Sequence, residues 1–185
     1  MRNLFRGIVL LILVGSTLGM SSGVVPRKSP EFSISRPGGA GLLLSSFEGK
    51  VVIMEFLFIR SEHCLRVART LNKLYAEPGL KGFQPVGVVF DPPNTPSTGP
   101  QFIAAVAESL KLAFPVGYAS KDSVDNYLGR ARNEILNIPQ VVVIDRTGTI
   151  RALSGGRGGD PALEDEGSLR KLIESLLRES APVAK

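Results

Sequence analysis

The run Val51 to Phe58 (VVIMEFLF) constrains this chain more than any other stretch. It is nearly continuously apolar and rich in β-branched and aromatic residues, the composition of a strand covered on both faces rather than one alternating between core and water. Such a strand needs paired neighbours and helices above and below it, so the run is read as the centre of a sheet. A helix follows. From Ser61 onward, Cys64, Val67, Ala68, Leu71, Leu74 and Tyr75 recur at spacings of three and four, an apolar stripe that Pro78 and Gly79 bring to a stop.

Phe83 to Phe90 (FQPVGVVF) reads as a second buried strand, reached from the first by a parallel crossover. The Pro/Thr/Gly-rich stretch Asp91 to Pro100 is a loop leading to a helix from Gln101 to Leu112, then a short strand, Phe114 to Tyr118, and a short helix, Asp122 to Leu128. After Pro139, Val141 to Ile144 and Thr149 to Leu153 flank the turn Asp145-Arg146-Thr147-Gly148, which predicts a hairpin, and Leu169, Leu172, Ile173, Leu176 and Leu177 predict a closing amphipathic helix. Residues 24–41, with Pro26, Pro30 and Pro37 beside Gly38, Gly39 and Gly41, read as a lead-in segment without a strand. The order, parallel crossovers first and an antiparallel pair afterwards, is that of an α/β fold with a mixed sheet and helices on both faces.

With 185 residues, 43% hydrophobic and 21% charged, the chain suits one globular domain, taken as 42–180 after a lead-in of 23–41. The net charge of +5 is scattered, without the basic block that would follow a phosphate backbone, so nucleic acid is not an expected partner. At the N-terminus, Arg2 and Arg6 precede the apolar run Ile8 to Val14 and a small, polar stretch, the pattern of a secretory signal over 1–22. The run is short against the roughly 20 residues of a spanning helix; a membrane tether is the alternative reading. The expected destination is therefore outside the cytoplasm, periplasmic or extracellular, although Cys64, the only cysteine, has no internal disulfide partner there.

Several pieces now resemble one family. Gly49-Lys50-Val51-Val52, followed by Glu55-Phe56 and by Ser61-Glu62-His63-Cys64, resembles the periplasmic thioredoxin-like proteins, the TlpA/ResA and redoxin group related to AhpC/TSA. Pro30-Glu31-Phe32 is similar to that group's opening motif, and Ile138-Pro139 before Val141 to Asp145 to its cis-proline and hairpin strand. The resemblance runs from about Pro30 to Leu177 and lies in the order of the pieces. It implies a thioredoxin-like fold, antioxidant or oxidoreductase chemistry on protein thiols, and a backbone at Ile138 that pairs with an extended peptide. In the family a first cysteine attacks and a second resolves the mixed disulfide; here Ser61 takes the first position and Cys64 the second, so the dithiol cycle lacks one sulfur.

The candidate catalytic residues are Cys64, Ser61 and His63, and the candidate binding residues Arg60, Ile138 and Pro139. Near a helix start, Cys64 is placed to favour a thiolate, with His63 and Arg60 helping and Glu62 opposing; on the stripe with Ala68 and Leu71 it is instead an inert core thiol. Ser61 reads as a helix cap before it reads as a nucleophile, since a nucleophilic serine needs a base and an oxyanion site. One histidine and one cysteine do not make a zinc site, and no cofactor is called for. A hydroxyl three residues before a lone cysteine is also what peroxiredoxins carry, but the proline expected seven residues before it is Leu57, and the arginine expected near the hairpin strand is replaced by Pro139. Three functions follow in order: single-thiol exchange with a partner protein, a catalytically inactive module that binds peptides or clients, and a one-cysteine peroxidase.

Overall fold

A computed structural model describes residues 25–36, 38, 40–91, 99–131, 134–155 and 159–179. The N-terminal signal or tether, most of the loop over 91–100 and part of the Gly-rich stretch over 154–159 lie outside the described residues.

The central run forms a strand, β4 (Val51–Leu57), and every one of its residues is buried. It pairs in parallel with β5 (Phe83–Val89), Val51 opposite Phe83, and antiparallel with β7 (Gln140–Ile144), Phe56 opposite Gln140. The crossover from β4 to β5 is α1 (Glu62–Tyr75), whose stripe of Cys64, Val67, Ala68, Leu71 and Leu74 is buried as the spacing predicts. Beyond β5 come α2 (Gly99–Ser109), β6 (Val116–Tyr118) and α3 (Lys121–Leu128); beyond β7 come β8 (Thr149–Leu153), a 3-10 turn (Pro161–Glu164) and α4 (Glu166–Arg178). Against the sequence reading, α2 starts and ends earlier, and the chain leaves it through Lys111 at a positive φ of 51°.

The lead-in segment differs more. It contains three strands, β1 (Arg27–Lys28), β2 (Ser33–Ser35) and β3 (Gly41–Leu43). β1 pairs with β8, while β2 pairs with β3 and with β6, so both margins of the sheet are built from a segment expected to carry no strand. Strands of two or three residues are too short to show an alternation, and Pro26 and Pro30 sit just outside them, where a missing N–H costs no ladder bond. Phe32 and Ile34 anchor the segment by burying their side chains.

The result is an eight-stranded mixed sheet in the order β1-β8-β7-β4-β5-β6-β2-β3. Successive side chains of β4 point to opposite faces. Val51, Ile53 and Leu57 join a core with Cys64 and Leu71 of α1, Ile103 of α2, and Leu169 and Ile173 of α4. Val52, Met54 and Phe56 join the other core, with Phe32 and with Val124 and Tyr127 of α3. Glu55 shares the first face by the same alternation, a carboxyl set between Ile53 and Leu57.

Candidate functional site

The C-terminal end of β4 leads into α1, and the antiparallel partner β7 begins at the same end of the sheet. Arg60, Ser61, His63 and Cys64 are thus brought to the end that also holds Ile138 and Pro139. Ile138 packs against both cores, with Ile59 in one and Phe58 in the other.

Ser61 has extended backbone angles and is the N-cap of α1; its Oγ accepts the N–H of Cys64 at 3.3 Å. The hydroxyl thereby satisfies one of the first-turn donors that a helix leaves open. Cys64 is 0% exposed. Burial pushes its thiol above the ordinary value; the Ser61 hydroxyl and the Phe58 backbone pull the other way, and Glu55 pushes it further up. A neutral, enclosed thiol results, in spite of its place in the first turn. His63 is turned away toward the 3-10 turn, where its Nε2 meets Glu164 Oε2 at 2.6 Å, and Arg60 is exposed.

The group that sequence reasoning missed is Glu55. It is 0% exposed, and neither carboxyl oxygen has a hydrogen-bond partner among the described residues. Burial raises its proton affinity well above the usual carboxylate range, and the nearby charge of Glu164 adds to the effect. The signal was there in an acidic residue midway along an apolar central strand, since a buried polar group is more informative than any exposed apolar one.

Pro139 is buried, and the Ile138–Pro139 peptide bond is cis. Its loop is braced from β8's end: Ser154 Oγ accepts the N–H of Val141 at 2.8 Å and donates to the Pro139 carbonyl at 3.3 Å. With its side-chain amide oriented to suit its neighbours, the buried Gln140 accepts through Oε1 the N–H groups of Ser154 at 3.3 Å and Gly155 at 3.0 Å. Ile138 itself makes no backbone hydrogen bond to the described residues, and Ile135, three residues upstream, is 89% exposed. Among the described residues no group of three His, Cys, Asp or Glu side chains converges to hold a metal ion.

A family model, the AhpC/TSA family, matches residues 25–153, from the first described strand to the end of β8. The chain belongs to the AhpC/TSA family. No curated relative matches it. Among solved structures, this AhpC/TSA chain is similar to a putative protein disulfide isomerase from Bacteroides thetaiotaomicron, with 26% identity and a TM-score of 0.61 over 86% of this chain and 96% of that one. A thioredoxin family thiol:disulfide interchange protein from Chlorobium tepidum TLS is 18% identical, with a TM-score of 0.64 over 83% and 98% of the two chains. A putative thiol:disulfide interchange protein DsbE from Chlorobium tepidum is 22% identical, with a TM-score of 0.62 over 80% and 96%. The thioredoxin-like fold is thereby established. Among the described residues no helix is long and apolar enough to cross a membrane.

Proposed function

We propose that this AhpC/TSA member is an exported client-binding protein that docks an extended protein segment across Ile138–Pro139 and the start of α1, and that keeps Cys64 as a protonated, enclosed thiol. The observation that carries the reading is the contrast between the two halves of the site. The thiol is 0% exposed near a carboxyl that has no hydrogen-bond partner among the described residues, whereas the backbone of Ile138 makes no hydrogen bond to the described residues and Ile135 stands in solvent. An extended segment supplies what Ile138 lacks, main-chain donors and acceptors, and Ile135 gives it an apolar contact. Delivery outside the cytoplasm is supported by Arg2, Arg6 and the apolar run Ile8 to Val14.

A second reading, single-thiol exchange with a partner protein, is favoured by Glu55. In its ionised form that carboxyl can take the thiol proton as sulfur attacks a partner disulfide. The S–S bond breaks, a mixed disulfide forms and the partner's second sulfur leaves as a thiolate; a thiol from outside this chain then resolves the product. The two readings part on Cys64→Ala. With carboxymethylated, permanently unfolded lactalbumin as the probe, the client-binding reading expects wild type and Cys64→Ala to bind with the same affinity by fluorescence anisotropy. Loss of binding in Cys64→Ala would overturn the client-binding reading. Since this probe carries no disulfide, exchange is read separately: a mixed disulfide formed by wild type but not by Cys64→Ala with disulfide-bonded lactalbumin would favour it instead.

A further inference from the structure

We infer that the ion pair between His63 and Glu164 is a clasp that keeps Cys64 enclosed, and that releasing it admits reagents to the thiol. The inference rests on the reading of Cys64 as an enclosed thiol and addresses what controls the enclosure. Two pairs of consecutive residues carry it. His63 and Cys64 stand in the first turn of α1, and Leu163 and Glu164 end the 3-10 turn. The inner members, Cys64 at 0% and Leu163 at 3% exposure, are buried in one core cluster, while the outer members meet at 2.6 Å. Glu55 belongs to the same face, with neither oxygen hydrogen-bonded among the described residues. A carboxyl and a thiol together would be hydrated at once if water reached them. The outer tier is what ties the 3-10 turn to α1 over that place.

The other charges nearby are engaged elsewhere or stand in solvent. Glu62 pairs with Arg69 at 3.7 Å, and Arg60 and Arg66 are exposed. Asp160 accepts the N–H of Ala162 at 2.9 Å, and Asp165 caps α4 by accepting the N–H of Ser168 at 2.9 Å. The clasp is half in water, with side-chain exposures of 47% for His63 and 23% for Glu164, so it is weak enough to open and is screened by salt.

The test is the rate at which iodoacetamide alkylates Cys64 in the folded full chain, with global stability measured in parallel by urea. Glu164→Gln and His63→Gln are each expected to raise the rate roughly two- to fivefold, the range set by a partly exposed ion pair. The double variant should react no faster than either single one. Reversing the pair, His63→Glu with Glu164→Lys, should restore the slow rate. Glu166→Gln, which removes the similar bridge to Lys73 further along α1, should leave the rate unchanged. Slow wild-type alkylation that the clasp variants do not alter, or alter only in step with global stability, overturns the clasp alone. A wild-type thiol that already reacts like that of the unfolded chain overturns the enclosure and the clasp with it.

Discussion

Glu55→Leu is expected to stabilise the protein by about 2 kcal/mol at neutral pH, the order of the cost of a buried polar group without a partner. Leucine nearly matches the volume removed and continues the apolar face on which Ile53 and Leu57 lie. The gain should depend on pH with a definite sign. The folded state holds the Glu55 proton well above the ordinary value of 4.5, so the unfolded chain releases a proton that the folded chain keeps. Stability in the wild type is therefore greatest, as far as this group is concerned, below about pH 4.5, and falls as pH rises toward the folded value, by about 1.4 kcal/mol per unit within that window. Urea unfolding of wild type and Glu55→Leu across a pH series checks it. The variant should lose this slope, and its advantage should grow with pH. A destabilised variant, or one with an unchanged slope, would mean that Glu55 has a partner outside the described residues.

Gly117→Ala is expected to destabilise by about 1–3 kcal/mol, the usual range for overpacking. Gly117 lies in β6, where a Cβ would stand 2.3 Å from Ile34 Cγ2 and 2.7 Å from the Ser35 carbonyl oxygen. Ile34 is fully buried, and the backbone oxygen moves only if β2 moves. Since β2 is held to β6 through the single pairing of Ser35 with Tyr118, the segment from β2 to β3 should come away first. Hydrogen exchange should show protection lost over 33–43 while β4 and β5 keep theirs. A neutral substitution would contradict the placement of this lead-in segment against the sheet.

The large elements were legible because each carried its own period. The apolar run of β4, the three-and-four spacing of α1 and the two strands around the turn at Asp145 all became what the residues specify. Ser61 was readable as a cap from its place before that stripe, and it accepts the Cys64 N–H as a cap does. The strands between Arg27 and Leu43 were not legible, because two or three residues show no alternation and their partners lie far along the chain, such as Ile150 for Arg27. The pairing of His63 with Glu164 was equally hidden, since it joins residues that only the fold brings together. Glu55 is the intermediate case. Its identity was in plain view in the run, but its burial follows only from β4 being covered on both faces, and its lack of a partner among the described residues only from the folded structure.

The account stands most directly on the state of Cys64, and the pH dependence of its reaction with iodoacetamide, folded against unfolded, measures that state. The account predicts that the folded thiol reacts more slowly than the unfolded one at every pH, with an apparent midpoint above that of the unfolded chain. A fast reaction with a midpoint well below the roughly 8.5 of a free cysteine would reveal an exposed thiolate and contradict it, leaving single-thiol exchange as the function to pursue.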